Sequence, residues 1–547
     1  MINKNKLIFL LIVISTLLTI FLVFNYLARK QMVCWDEGNS IYVGNTVSQA
    51  LKKGNYKEFW QLSFNQLSYP FLQSWYLAFT TLPFAYTIET ARLASLFLLL
   101  PTVILVWLIA KILTKNNSLA TLATLLLLTS PYSLVLFSMA MREGLGITLT
   151  LLTVWLYLSA RQKKPLYWFF LGGLSLLLLM LTKYNLGGIV IITLGLESGL
   201  WFLTEKAYQK KKFSDYFLKN LFLYLPLVLG LFFWLKFPVD RFNLFLSVIQ
   251  QYSAPLPKDI FNLKETSMFG HLIFYPQELA FCYSFSWLLA LFLAIGFLYA
   301  LKDGRKYQIR TPAVFFLVGL ILTTRNYMNN QGRYLFTIVP LFFLVGGYGL
   351  LELWPRIKKI KLSPFVKGLL IPLGGLIIFL LTKDLLTFPR YLTGLASKEV
   401  ISAVFYEQDF QKISIFDFDR DHWPKIPPPA DHEKINDALD FIALNVDLRK
   451  SVNFAGFLNE FSPGLTFFYL DQVRAKPITN FPKTDFQEHV VAIMVKDGTR
   501  FDTYAYRIFS GLGPLYAAQQ VLADRSLTKI TQKYFPYLGL TVTILGR

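Results

Sequence analysis

The chain has 547 residues, 54% of them hydrophobic, and carries a formal charge of +21 at pH 7. That charge is not the footprint of a nucleic-acid binder, because 36 basic residues face only 15 acidic ones in positions 1–386 whereas 387–547 hold 18 of each. Apolar runs of about twenty residues recur, the length at which a helix crosses a hydrocarbon core about 30 Å thick; the runs are Leu/Ile/Phe blocks rather than barrel-like alternations, so a single-core soluble protein is excluded.

The first segment, Leu7–Leu27, is too long for a signal peptide and lacks a small-residue cleavage site, so it reads as a retained anchor. With Lys4 and Lys6 inside, a loop spanning 28–83 lies outside and begins with "CWDEGNSIYVG", which holds the adjacent acids Asp36 and Glu37. Within it "VSQALKKGNYKEFWQL" and "YPFLQSWYLAF" read as short amphipathic helices in the membrane interface. A second span covers Ala91–Leu113, and a third, Leu119–Met139, emerges at "MREG". The fourth ends at "ARQKKP", the fifth (Leu166–Leu181) reaches "TKYN", and the sixth ends before the cytoplasmic "EKAYQKKK". The seventh, Leu221–Phe237, opens an outer loop from Asp240 to Leu279. The eighth ends at "KDGRKYQIR"; the ninth, Pro312–Thr323, precedes an outer "TTRNYMNNQGRY"; the tenth ends at "WPRIKKIK", and the eleventh is Phe365–Leu386. Alternate loops are rich in Lys and Arg, the positive-inside signal. The reading is a polytopic α-helical membrane protein with about eleven transmembrane helices over 1–386, seated in the cell membrane.

From 387 the composition becomes that of a soluble domain. "INDALDFIALNV" has helical periodicity, while "SVNFAGF", "HVVAIMV" and "GLTVTIL" read as strands. Residues 387–547 are therefore expected to form an extracytoplasmic α/β domain.

Several chemistries lack their residues. No phosphate-cradling glycine motif precedes a helix, which leaves no nucleotide site. His271, His422, His432 and His489 have no metal-ligand spacing, and Cys34 and Cys282 offer at most one bridge. "FDFDRD" (Asp417, Asp419, Asp421) resembles half a calcium loop but lacks its glycine and final glutamate.

What remains is charge at the outer ends of the spans. Asp36 is read as a general base or a cation ligand, since desolvation strengthens a carboxylate as a base; the plainer reading is a helix-start acid. Glu37 is read as its partner or as a cap. Arg142 and Glu143 follow span three, Lys183, Tyr184 and Asn185 follow span five, and Arg325, Asn326, Tyr327, Gln331, Arg333 and Tyr334 flank spans nine and ten. Each alone reads as a snorkelling or belt side chain. Together they gather cations on the side where positive charge is otherwise avoided, which suits a bound phosphate.

A first span, then "WDEG" opening a long outer loop, then "YPFLQSWYLAF", resembles the glycosyltransferase C superfamily, in particular its protein O-mannosyltransferase, aminoarabinose transferase and rhizobial lipopolysaccharide transferase group. "LTKYNLGG" resembles that group's Thr-Lys-Gly-Pro, and "GRYLFTIVPLFFL" its Arg-Tyr-Leu signature with a following proline. Where members often read Lys-Pro-Pro-Leu, this chain has "SYPF", so Lys52, Lys53 or Lys57 would have to replace that lysine. The resemblance covers about residues 1–350. It implies a polyprenyl-phosphate-linked sugar donor and a protein, lipid or glycan acceptor outside the cytoplasm. Asp36 would be the base and Glu143 a second acid. Lys183 and Arg333 would hold the donor phosphate, with Glu37, Arg142, Tyr184, Arg325, Gln331 and Tyr334 lining the substrate site. No cofactor is implied with certainty; the acids could hold a divalent cation, although the basic excess argues against needing one. The rival reading is a transporter or flippase for lipid-linked sugars, which would show paired repeats that are not seen here. A second rival is a non-catalytic envelope scaffold.

Overall fold

The computed structural model describes residues 4–29, 35–64, 66, 70–162, 165–205, 209–237, 241–242, 275–276, 278–280, 283–284, 286–325, 332–359, 375–379, 381, 437, 440–442, 444–445, 452–455, 490–496, 528–535 and 540–546. At some of these, Trp35, Asp36 and Arg325 among them, only the backbone is described. Cys34, Cys282, Gln331, the four histidines and the "FDFDRD" segment lie outside the described residues.

Helix α1 (Lys4–Val23) ends in a π turn at Phe24–Ala28, and α2 (Trp35–Lys52), α3 (Tyr56–Phe64) and α4 (Leu72–Thr81) occupy the expected outer loop. The "VSQALKKGNYKEFWQL" stretch is two helices rather than one. Gly54 (φ 66°) closes α2, with the Gly54 and Asn55 amides donating to Leu51 and Ala50, and Asn55 then caps α3 through the Glu58 amide at 3.2 Å. The next helices are α5 (Ile88–Phe97), α6 (Leu99–Leu113), α7 (Asn117–Leu128), α8 (Pro131–Ser138) and α9 (Arg142–Arg161). After them come α10 (Tyr167–Met180), α11 (Tyr184–Thr204), α12 (Lys210–Lys236), α13 (Trp287–Ala300), α14 (Tyr307–Arg325), α15 (Gly332–Phe336) and α16 (Val339–Lys358).

Among the described residues six helical stretches are long and apolar enough to cross a membrane, or seven if the bent pair α7–α8 is one span. This is a multi-pass membrane protein. Helix or a helix pair occurs at each of the first ten expected spans, but α10 and α13 have only 14 residues each, fewer than the ~20 of a straight crossing. The eleventh expected span lies mostly outside the described residues. The third is bent by 63°. Pro131 forces Ser130 into extended backbone and opens α8 at its first position, where a missing amide costs nothing.

The most apolar span is not the most buried. The α1 span has a mean hydropathy of 3.1 and is 22% buried, whereas α9 has 1.3 and is 89% buried. Helix α9 packs between α6 and α10 at the centre of the bundle. Helices α13 and α16 form the closest pairing, through glycine: a Cβ on Gly349 would lie 1.7 Å from the Gly296 carbonyl oxygen. Gly349→Ala should therefore cost about 1–3 kcal/mol through enforced separation of the two helices. Thermal unfolding of the detergent-solubilised chain checks this against Gly195→Ala, where a Cβ meets nothing within 4 Å; equal midpoints for both variants would refute the tight crossing.

Toward the C-terminus, β1 (Val452–Ala455), β2 (Val490–Lys496), β3 (Thr528–Phe535) and β4 (Leu540–Gly546) form one sheet in the order β1-β2-β4-β3. β1 is parallel to β2, and the other pairs are antiparallel. Three of the strands were expected, while β3 was not. The described residues of "INDALDFIALNV" are helical, and Phe441 meets Phe535 of β3 edge-on with ring centres 5.8 Å apart.

Candidate active site

The site begins where α2 starts. Asp36 and Glu37 fall in the first turn of α2, and the Glu37 side chain is fully buried. A buried carboxylate needs a matched partner. Arg92 of α5 supplies it with a two-pronged bridge, Nε to Oε1 at 2.7 Å and Nη2 to Oε2 at 2.8 Å. The same guanidinium donates from Nη1 to the Ala28 carbonyl at the end of α1 (2.7 Å), and the Ala140 amide donates to Glu37 Oε1 (2.9 Å). One acid thus ties the backbone beside Asp36 to α1, to α5 and to the turn before α9.

That turn leads directly into the second cluster. Met141 is extended, and α9 opens with Arg142 and Glu143, both buried. Lys183 sits in extended backbone between α10 and α11, and its ammonium donates to Glu143 Oε1 at 2.6 Å. Arg333, on the short helix α15, brings Nη1 to 3.5 Å from the same oxygen. Tyr334 completes the group: its ring centre lies 5.0 Å from Lys183 Nζ and 5.3 Å from the Arg333 guanidinium carbon. Three segments separated by up to 190 positions therefore converge on one carboxylate oxygen.

The interfacial helices are fastened to this end of the bundle. The Leu72 amide at the start of α4 donates to the Leu181 carbonyl, two residues before Lys183 (3.0 Å). Tyr184 accepts from Trp234 Nε1 at 2.7 Å, and Trp234 stacks in a cluster with Phe64 and Phe71 and beneath Arg241. Tyr76 donates to the Ala94 carbonyl at 2.6 Å; burial pushes its phenol well above the ordinary range, so the donor persists across working pH.

Of the residues singled out from sequence, Glu143, Lys183, Arg333 and Tyr334 meet, with Arg142 adjacent on α9 and Tyr184 adjacent on α11. Glu37 is engaged with Arg92. The backbone of Asp36 lies in the same turn as Glu37, and that of Arg325 ends α14. Sequence reasoning missed Arg92, whose signal was an arginine inside an apolar span. It also missed a network at the far end of α9, about 28 Å away at 1.5 Å per residue. There Glu197 of α11, fully buried, accepts from Arg161 (2.9 Å), from Arg310 Nη2 (2.9 Å) and from Thr311 (3.0 Å). Among the described residues no group of three or more His, Cys, Asp or Glu could hold a metal ion.

Known proteins share this architecture. A family model described as dolichyl-phosphate-mannose-protein mannosyltransferase matches residues 68–234, the stretch that carries Arg92, Arg142, Glu143, Lys183 and Tyr184. The fold is similar to that of ArnT from Cupriavidus metallidurans in its apo state, with a TM-score of 0.58 at 12% identity over 99% of this chain and 98% of that one. ArnT bound to undecaprenyl phosphate matches with a TM-score of 0.56, again at 12% identity over 99% and 98%. The Archaeoglobus fulgidus oligosaccharyltransferase in the apo form matches at 0.51 and 11% identity, over 88% of this chain and 62% of that one. No curated protein matches the chain by sequence at a significant level. The chain thus joins a segment that matches this mannosyltransferase family model to an overall fold similar to that of ArnT.

Proposed function

We propose that the chain is an integral membrane glycosyltransferase that moves a sugar from a polyprenyl-phosphate carrier to an extracytoplasmic hydroxyl of a protein, lipid or envelope glycan. The observation that carries this reading is the convergence of Lys183 and Arg333 on Glu143. An ammonium and a guanidinium brought to one point from separate segments are what a phosphodiester anion requires. The carrier class accords with the undecaprenyl phosphate bound to ArnT and with the dolichyl phosphate named for the matching family.

In this mechanism the acceptor hydroxyl gives its proton to the Asp36 carboxylate. Its oxygen then attacks the anomeric carbon from the face opposite the phosphate, inverting the configuration. The bond from that carbon to the phosphate oxygen breaks, and the electron pair leaves with the polyprenyl phosphate, whose charge Lys183 and Arg333 stabilise. Glu143, as second acid, holds both cations in register, and the Tyr334 ring braces them. Glu37 and Arg92 set the position of Asp36. Arg142, Tyr184, Arg325 and Gln331 are assigned to substrate binding. Residues 387–547 are assigned to an extracytoplasmic α/β domain.

Lys183→Gln is expected to raise KM for a polyprenyl-phosphate sugar roughly ten- to a hundredfold, the worth of one charge-assisted hydrogen bond, and Lys183→Arg to restore part of it. An unchanged donor KM in a variant that unfolds at the wild-type temperature would remove Lys183 from the phosphate site. Mass spectrometry of envelope glycans from cells with and without the gene then identifies the product. Translocated lipid-linked sugar without a new glycosidic bond would instead support the carrier reading.

A further inference from the structure

A groove of about 630 Å³ opens between the first residues of α1 and the α6–α7 turn, the end of those helices remote from Glu37 and Arg92. Its lining is polar toward the helix ends, at Asn5, Lys115, Asn117 and Ser118, and mainly apolar further along, at Ile8, Leu122 and Leu125, with Thr121 between. None of its lining side chains is acidic. The polar end is cross-braced: Asn117 Nδ2 donates to Asn5 Oδ1 at 2.6 Å, and Lys111 Nζ donates to Asn117 Oδ1 at 2.6 Å and to the Lys115 carbonyl at 2.8 Å. Lys111 therefore adds a second cation beside Lys115. From Asn117 to Leu125 the wall descends about 12 Å along α7 at 1.5 Å per residue, from the ends of the spans into hydrocarbon depth. Leu125 is 47% exposed there.

We propose that this groove binds an anionic glycerophospholipid of the surrounding leaflet, its phosphate at Lys115 and Lys111 and its first acyl methylenes along Ile8, Leu122 and Leu125. Two features select a lipid over a soluble anion. The groove passes from cationic to apolar along α7, as an amphiphile does, and it opens beside helices long and apolar enough to cross a bilayer. The two lysines select an anionic headgroup over a zwitterionic one. This site is independent of the proposed sugar transfer and would be a point at which leaflet composition acts on the bundle.

The test is native mass spectrometry of the full-length chain released from nanodiscs of equal phosphatidylglycerol and phosphatidylcholine. The wild type should retain phosphatidylglycerol in preference. Lys115→Gln should lower that preference about fivefold, the worth of one lysine at an anionic surface, and Lys306→Gln, which removes an exposed lysine from another loop, should not. Leu125→Ser should lower retention of either lipid and leave their ratio unchanged. Equal retention of the two lipids by the wild type, an equal loss in Lys306→Gln, or displacement of phosphatidylglycerol by millimolar inorganic phosphate would each overturn the proposal.

Discussion

Asp36→Asn should reduce sugar transfer by about 10²- to 10⁴-fold, the usual worth of a general base, while leaving insertion and thermal unfolding unchanged. Asparagine keeps the shape of the side chain and removes its capacity to take a proton. The position is well placed for such a test, because the backbone beside it is held by the bonds of Glu37. Asp36→Glu should keep more activity than Asp36→Asn, since it preserves the base at a displaced position. The measurement is transfer from a polyprenyl-phosphate sugar to acceptor in proteoliposomes, compared at equal protein incorporation. Full activity in Asp36→Asn would exclude the residue as base and leave Glu143 as the acid to test next.

Arg92→Met should destabilise the chain by about 3–5 kcal/mol, because it strands the Glu37 carboxylate without a counter-charge in a fully buried position. The double variant Glu37→Gln with Arg92→Met should recover much of that loss, since no uncompensated charge then remains. Recovery of stability should not bring recovery of transfer: the amide no longer ties the turn before α9 to α1 through a bidentate bridge. Thermal midpoints of the three variants in one detergent check the first two statements, and proteoliposome transfer checks the third. A single Arg92→Met variant as stable as the wild type would show that the pair is dispensable to the fold.

The membrane helices were legible because a span needs length and apolarity, both of which can be read along the chain. The cations at Lys183 and Arg333 and the acid at Glu143 were legible for the opposite reason: ionisable groups at span ends stand out against an apolar background. Their meeting on one oxygen was not, since it depends on how α9, α10–α11 and α15 pack. Arg92 escaped notice because the second span was read as an apolar block from Ala91, with no penalty charged for its second residue. Glu197, Arg161 and Arg310 were hidden by the loop rule, which counts lysines and arginines at the cytoplasmic ends as topology signals and asks nothing of their partners. The bend at Ser130–Pro131 was present in the sequence as a serine-proline step, yet a run of twenty apolar residues overrode it. Strand β3, "TKITQKYF", lacks the apolar run of its neighbours; its burial is confined to Phe535, and pairing with β4 along the whole strand defines it instead.

The most buried span, α9, is also among the least apolar, and that bears on biogenesis. Helix α1 is apolar enough to leave the translocon alone, whereas α9 carries Arg142 and Glu143 at one end, Arg161 at the other, and a mean hydropathy of only 1.3. Lipid is a poor solvent for that helix at the moment it is made. The group that neutralises Glu143 is Lys183, and the group that takes up Arg161 is Glu197, both borne by the chain that follows. Helix α9 therefore becomes a stable membrane helix only once the α10–α11 hairpin has been synthesised beside it, so the ion pairs at the two ends of the bundle also set the order in which the chain can be assembled.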